Sequence, residues 1–261
     1  MKRFYVIGTK TSKSLSPMIF NYWFKKYRIK ATYGFLELTD TNFDKKITKL
    51  LKNEKLAGLN ITIPYKKKIM KYVELINKNA KEINAINCIS TSKKIKGTNT
   101  DWEGYYKTLP KGKILKNKKI LLIGYGGAAL AIHYVLKNKG YKNILIFNRT
   151  RKKTSFSNKR EYTKNLSSLK KHLSSAELII NTTPTNPIKK NERKLINRKT
   201  ILSDIVYVPK ETAFLKSFPN NRKIYGISML LQQAVLCFKL WFGFKPIIDK
   251  YLIELLDKKI S

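Results

Sequence analysis

Short apolar runs alternate with amphipathic stretches through the first hundred residues. Phe4-Tyr5-Val6-Ile7 ends at Gly8 and predicts a buried strand. Ser16-Pro17 then has the chemistry of a helix start, with serine as N-cap and proline in the first turn. Ile19, Trp23 and Tyr27 recur every fourth residue and form the buried stripe of that helix. Thr32 to Leu38 predicts a second strand and Phe43 to Leu51 a second helix. Leu59 to Ile63 predicts a third strand closed by Pro64, and Lys66 to Ile83 a further helix. Such strand-helix-strand alternation implies an α/β domain with a mostly parallel sheet.

The pattern restarts after Trp102. Lys119 to Ile123 predicts a strand that feeds a glycine turn, and Ala128 to Leu136 a helix with Gly140 as its stop signal. Asn143 to Phe147, Leu178 to Ile180 and Ile201 to Val206 predict further strands. The polar, alanine-poor stretch from Arg151 to Lys171 predicts no regular element. Beyond Gly226 the apolar spacing is helical again, over Met229 to Trp241 and Ile247 to Leu256, with Pro246 starting the last helix. The resulting expectation is two α/β domains. Residues 1–101 plus about 230–261 form one, and residues 102–229 form a Rossmann-type domain.

Composition narrows this only a little. The chain has 261 residues, of which 43% are hydrophobic, enough for ordinary cores. No apolar run approaches the ~18 residues of a membrane helix, and Phe4 to Ile7 is too short for a signal-peptide core, so a cytoplasmic protein is expected. The formal net charge of +39 raises nucleic-acid binding by counterion release. The lysines run from Lys2 to Lys259 without a dominant tract, alongside abundant Asn and Ile. That reads as compositional drift, and nucleic acid is not an expected partner. A positive surface would still attract anionic ligands. Cys88, Cys237, His133 and His172 share no metal-ligand spacing; no metal site is expected, and the cysteines read as free buried thiols.

The glycine turn carries the first chemistry. Gly124-x-Gly126-x-x-Ala129 lies between a strand and a helix, the context of a dinucleotide site. Gly124 allows the tight turn and Gly126 lets the backbone approach a pyrophosphate, which then rests on the helix N-terminus. The next strand ends in Asn148-Arg149-Thr150-Arg151-Lys152-Lys153, with no acid for a ribose 2′-hydroxyl. A guanidinium there grips a 2′-phosphate, so NADP is favoured over NAD. Ahead of this domain stand Lys66, in Asn60-Ile61-Thr62-Ile63-Pro64-Tyr65-Lys66, and Asp101, ending Asn99-Thr100-Asp101. A lysine and a carboxylate in front of a dinucleotide domain point to proton transfer coupled to hydride transfer.

These segments, with Ser12-Lys13-Ser14-Leu15-Ser16-Pro17, Ala85-Ile86-Asn87, Asp204-Ile205-Val206-Tyr207, Gly226-Ile227-Ser228-Met229-Leu230 and Gln233, closely resemble the shikimate dehydrogenase family over nearly the whole chain. The resemblance implies NADPH-dependent, reversible reduction of 3-dehydroshikimate to shikimate, on the route to chorismate and the aromatic amino acids. It implies a site in the cleft between the domains, with Lys66 and Asp101 as the catalytic pair. Their division of labour stays open, Lys66 being favoured for the proton and Asp101 for holding it. Ser14 and Ser16, at a helix start, suit the substrate carboxylate. Thr62, Asn87 and Gln233 can meet ring hydroxyls, and Tyr207 matches a tyrosine near the substrate. A buried Gln233 needs a partner, either a substrate hydroxyl or water. Gly124, Tyr125, Gly126, Gly127, Ala128, Asn148, Arg149, Thr150, Lys153, Ile205 and Gly226 are the implied NADP contacts. The chain departs from the family pattern at Lys13, Lys78, Trp102 and Asn186, and the segment after Lys153 is short. A homodimer is compatible with this reading. Its alternatives are a quinate/shikimate dehydrogenase of relaxed specificity and, from another class, a basic nucleic-acid-binding protein without catalysis.

Overall fold

The structure is a computed structural model that describes residues 1–156 and 161–261. The chain divides into two compact units, Met1–Asp101 with Gln233–Leu256, and Trp102–Gln232 with Asp257–Ser261.

The first unit opens with β1 (Lys2–Gly8), α1 (Ser16–Lys26), β2 (Ala31–Glu37), α2 (Asp40–Leu51) and β3 (Leu56–Ile61). It continues with β4 (Leu75–Ile76), α3 (Lys78–Ile83), β5 (Cys88–Ser90) and β6 (Lys96–Thr98). The sheet order is β2-β1-β3-β5-β6-β4. Pairs β1/β2, β1/β3 and β4/β6 are parallel, whereas β3/β5 and β5/β6 are antiparallel. Side chains alternate across β1 as a pleated strand requires. Ile7 joins an aliphatic cluster with Phe43, Ile47, Leu59, Ile61 and Tyr65. Phe4 instead packs against Phe24, Trp241 and Phe242.

Two local expectations change here, and one strand pair is new. Ser16 is not the cap of α1: the N-cap is Leu15, and the Ser14 hydroxyl accepts the Ser16 N–H at 3.2 Å. Serine two residues earlier satisfies that amide, and Ser16 itself is buried. The stretch from Lys66 to Ile83 is not one helix. It is a 3-10 turn over Lys68–Tyr72, then β4, then α3. Leu75 pairs with Lys96 at the sheet edge, and the Asn77 side chain caps α3 by accepting from Asn79 N; edge pairing outweighs the helical spacing. The antiparallel β5/β6 pair went unread because both strands have only three residues.

The second unit contains most of α4 (Asp101–Tyr106), then β7 (Lys119–Ile123), α5 (Gly127–Asn138), β8 (Asn143–Asn148) and β9 (Lys164–Asn165). β10 (Ala176–Asn181), β11 (Ile201–Asp204), α6 (Ala213–Lys216) and β12 (Lys223–Ile224) complete its sheet. The order is β12-β11-β10-β7-β8-β9, with every pair parallel. Counted from β7 this is the doubly wound order, and its switch point lies between β7 and β10. Ile120, Leu122, Ala129, Ile132, Val135, Leu178 and Ile180 fill one core and Leu121, Ile123, Phe147, Ile179 and Leu202 the other. Strands buried on both sides read as continuous apolar runs.

The segment predicted without regular structure has some. A bridge pairs Lys153 with Tyr162, β9 follows, and a 3-10 helix spans Leu166–Ser175. Residues 157–160 of that segment lie outside the described residues.

α7 (Gly226–Phe242) and α8 (Lys250–Ile260) end the chain. α8 does not begin at Pro246. The Ile247 carbonyl accepts from Trp23 Nε1 at 3.1 Å, and Asp249 bonds Tyr22, Lys26 and the Leu252 N–H. These ties anchor residues 247–249, and Asp249 caps the first turn of α8 at Lys250. The final residues also depart from expectation: Asp257–Ser261 belong to the second unit. There Lys210 N donates to Ile260 O at 2.7 Å and Lys210 Nζ meets both Asp257 oxygens at 2.8 Å. No helix among the described residues is long and apolar enough to cross a membrane.

Candidate active site

Lys66 is delivered by the end of β3. Thr62 N continues the ladder to Ile7 O at 2.8 Å, and Tyr65 N closes a turn onto Thr62 O at 3.0 Å. The fully buried Tyr65 stacks on Phe43, and its hydroxyl donates to Leu38 O at 2.8 Å. Lys66 O accepts Ile86 N at 2.8 Å, which ties the lysine to the Ala85-Ile86-Asn87 segment. Asp101 is tied to the same segment. Asn99 Nδ2 donates to Ala85 O at 2.9 Å, and Asn99 Oδ1 accepts Asp101 N at 3.0 Å.

The two side chains meet with Lys66 Nζ 2.6 Å from Asp101 Oδ2. Their side-chain exposures are 12% and 7%, so bulk water screens this pair far less than a surface pair. The other carboxylate oxygen, Oδ1, accepts Asn87 Nδ2 at 2.8 Å. Asn87 Nδ2 also lies 2.9 Å from Thr100 Oγ1 and 3.4 Å from Gln233 Oε1, while its Oδ1 accepts Thr100 N at 2.7 Å. Gln233 Oε1 is 3.4 Å from Thr100 Oγ1. Gln233 therefore has protein partners, which differs from the choice between a ligand hydroxyl and water. Those partners come from segments more than a hundred residues away in sequence.

Ser14, half-buried, and Ser16, buried, flank the start of α1. Thr62 lies against Gly8: a Cβ on that glycine would approach Thr62 Cγ2 to 2.5 Å and Thr11 Cγ2 to 2.9 Å. Ser14 N donates to Thr11 O at 3.0 Å, so Thr62 and the serine segment meet around the end of β1. The Thr11 hydroxyl is buried and has no hydrogen-bond partner among the described residues.

In the second unit, the glycine turn follows β7 at the switch point. Gly124 has φ +94°, a conformation glycine adopts without strain, and its N–H donates to Phe147 O at 2.8 Å. Gly126 is the N-cap of α5, whose first turn has no side-chain cap, and a methyl group on Gly126 would meet nothing within 4 Å. Gly127 and Ala128 open the helix. The backbone thus presents uncapped N–H groups toward open space, and this cradle fits a pyrophosphate. The Tyr125 ring is buried, with its hydroxyl 3.1 Å from His133 Nδ1 and accepting Ser155 N at 2.8 Å. Only the backbone of Tyr125 is left for a ligand.

Asn148 Nδ2 donates to Thr150 O at 2.8 Å and turns the chain at the end of β8, leaving Arg149 and Thr150 exposed. Lys153 is exposed at its bridge. Ile205 follows β11, and Gly226 packs on it: a Cβ there would stand 2.4 Å from Ile205 O and 2.5 Å from Val206 O. Tyr207 is half-buried in this second unit.

Several contributors were not singled out from sequence. Asn60 Nδ2 reaches Asn87 O and Cys237 Sγ, each at 3.1 Å, and its Oδ1 accepts Tyr33 OH at 2.7 Å. Thr100 Oγ1 is 3.2 Å from Cys237 Sγ. Burial, then the neighbouring Cys237, push the Cys88 thiol well above its ordinary range. Polar residues inside short apolar strands were the available signal. In the second unit Asp204, raised by burial, accepts from Thr212 Oγ1 at 2.7 Å and from Asn181 Nδ2 at 3.2 Å. Lys152 Nζ lies 3.5 Å from Tyr125 O, placing a cation at the glycine turn. Of the departures from the family pattern, Asn186 is held by Ala213 O and Ser217, and Trp102 packs edge-on to Tyr134.

An all-parallel sheet with a glycine turn at its switch point, and a buried lysine–carboxylate pair, define a dinucleotide-dependent oxidoreductase. Comparison with known proteins narrows the class. Residues 6–89 match the family described as shikimate dehydrogenase substrate binding domain, and residues 108–213 match shikimate / quinate 5-dehydrogenase. The shikimate dehydrogenase (NADP(+)) of Oceanobacillus iheyensis is 36% identical over 256 residues, covering 91% of each chain. That of Pelagibacter ubique is 34% identical, covering 98% of this chain and 99% of its own. A crystal structure of shikimate dehydrogenase in complex with NADP+ superimposes with a TM-score of 0.83 at 29% identity, covering 100% of this chain and 94% of that one. The chain belongs to the shikimate dehydrogenase family.

Proposed function

We propose that the chain reduces 3-dehydroshikimate to shikimate reversibly, with Lys66 exchanging the proton and Asp101 holding Lys66 in place. The observation that carries this is the buried pair itself: Lys66 Nζ is 2.6 Å from a carboxylate whose second oxygen is taken by Asn87. NADPH, when bound, supplies the hydride. Reduction of a ketone builds negative charge on its oxygen, and an ammonium aimed there both stabilises that charge and delivers the proton. In the reverse direction the amine takes the proton back. Asp101, with both its oxygens engaged, holds the lysine and keeps Nζ from wandering among rotamers.

Ser14 and Ser16 take the substrate carboxylate at the start of α1. Thr62, Asn87, Tyr207 and Gln233 take the ring hydroxyls. The Gln233 contacts to Asn87 and Thr100 are the long ones at 3.4 Å, so a hydroxyl displaces them at least cost. The glycine turn from Gly124 to Ala128 cradles the pyrophosphate of NADP, and Ile205 and Gly226 line the cofactor from the end of β11. Asn148, Arg149, Thr150 and Lys153 surround the 2′-phosphate, Arg149 through paired N–H bonds. Free thiols at Cys88 and Cys237 suit a reducing compartment, and the cytoplasm is the proposed location.

The test is NADPH oxidation on 3-dehydroshikimate, followed by absorbance, for wild type and Lys66→Ala. The variant is expected to lose nearly all turnover while NADP+ binding, measured by fluorescence titration, stays intact. Normal turnover in Lys66→Ala removes Lys66 from the reaction.

A further inference from the structure

We infer that Thr100 is a positioning residue of the reaction: it orients the Asn87 amide, and through it the Asp101 carboxylate that holds Lys66. This rests on the assignment of Lys66 and Asp101 as the proton-transfer pair.

An asparagine amide can face two ways, and the two faces have opposite chemistry. Facing Asp101 with Nδ2, it donates to the carboxylate; facing it with Oδ1, it would set two acceptors against each other. Thr100 meets both ends of that amide. Its backbone N–H, a donor only, meets Asn87 Oδ1 at 2.7 Å and sets which way the amide faces, and its hydroxyl, 2.9 Å from Asn87 Nδ2 and 3.3 Å from Asn87 Oδ1, adds a second hold on the same group. In that orientation Nδ2 also faces Asp101 Oδ1 at 2.8 Å, its shortest contact, and Gln233 Oε1 at 3.4 Å. Asn87, Thr100 and Asp101 are 3%, 4% and 5% exposed, so bulk water is not at hand to replace a lost partner.

The hydroxyl is itself held. Thr100 Oγ1 lies 3.2 Å from Cys237 Sγ and 3.4 Å from Gln233 Oε1, and Cys237 accepts Asn60 Nδ2. The backbone of Asn87 is pinned separately, through Asn87 N to Thr98 O at 3.1 Å and Ile61 N to Asn87 O at 2.9 Å. The main chain is therefore fixed by the sheet, and the side-chain torsion is the coordinate left for Thr100 to set.

The experiment compares Thr100→Val, which keeps the branched shape and deletes the hydroxyl, with Thr100→Ser, which restores it. Thr100→Val is expected to lower kcat about tenfold, with KM for 3-dehydroshikimate and NADP+ affinity within about twofold of wild type, and Thr100→Ser to recover most of the loss. In an Asp101→Asn background Thr100→Val is expected to cost nothing further, because its route runs through that carboxylate. If Thr100→Val does not fold, judged by circular dichroism, Thr100→Ala is read in its place. Wild-type kcat in the hydroxyl-less variant overturns the inference, and so does a tenfold loss that persists in the Asp101→Asn background. Either result, combined with an inactive Lys66→Ala, rejects the role of Thr100 and leaves the Lys66 assignment standing; an active Lys66→Ala rejects the assignment itself.

Discussion

Adding one methyl group at each of two glycines contrasts a tightly packed position with an open one in the second unit. At Gly226 an alanine Cβ would lie 2.4 Å from Ile205 O, 2.5 Å from Val206 O and 2.6 Å from Ile205 C, all main-chain atoms. An ordinary carbon–oxygen contact needs roughly 3.2 Å or more, so α7 must move about 0.8 Å off the β11 end. Overpacking of this kind costs about 1–3 kcal/mol, and about 2 kcal/mol lowers Tm by roughly 4–8 °C in a chain of this size. At Gly126 the same methyl meets no protein atom within 4 Å. Gly126→Ala is expected to change stability by no more than about 1 kcal/mol, since lost N-cap preference and reduced unfolded-state entropy oppose each other. Its effect is expected on binding, because the methyl occupies the space a pyrophosphate would approach, and NADP+ affinity should fall at least about tenfold, or about 1.4 kcal/mol. Guanidinium denaturation and fluorescence titration with NADP+ read the two quantities in both variants. Wild-type stability in Gly226→Ala would refute the steric reasoning, and wild-type NADP+ affinity in Gly126→Ala would refute the cofactor cradle.

Two further expectations follow from other residues. Arg149→Ala should reduce the preference for NADPH over NADH by about tenfold or more, as the loss of a charge-assisted pair implies; equal use of both coenzymes by the wild type would sink the 2′-phosphate reading. His133 is held down to about 4 from 6.5, by burial first and by the nearby Lys137 second. The folded state therefore binds fewer protons than the unfolded chain in that window. Its contribution is complete above pH 6.5 and is lost as pH falls toward 4, about 3 kcal/mol in total. Denaturation midpoints from pH 7 to 4 should fall less steeply in His133→Gln, and an unchanged slope counts against this account.

What the amino-acid sequence revealed, and what it did not, divides along range of interaction. The Gly124 turn was legible because strand, turn and helix are contiguous, each residue answering a local demand. Lys66 and Asp101 were legible from their motifs, and their meeting follows from ties to one intervening segment. Gln233 was read as needing water or a ligand because Asn87 and Thr100 lie more than a hundred residues away. Lys66 to Ile83 was read as a helix because edge pairing of Leu75 with Lys96 leaves no periodic trace. Pro246 suggested a helix start by local rule, and the distant side chains Trp23 and Tyr27 overruled it through Ile247. The role of Ser14 was visible as a motif member but not as the group that receives the Ser16 amide.

The segment Ala85-Ile86-Asn87 touches both members of the proposed pair, through Ile86 N to Lys66 O on one side and through Asn99 and Asn87 to Asp101 on the other. Two groups 35 residues apart in the chain thus share a single mount. Thermal displacement of that mount carries donor and acceptor in the same direction, so it cancels in their separation much as vibration cancels between two mirrors bolted to one bench. The 2.6 Å gap is therefore expected to vary less than the positions of the two residues themselves. Substitutions that soften the surroundings should change how often the pair meets its substrate before they change how the two residues meet each other.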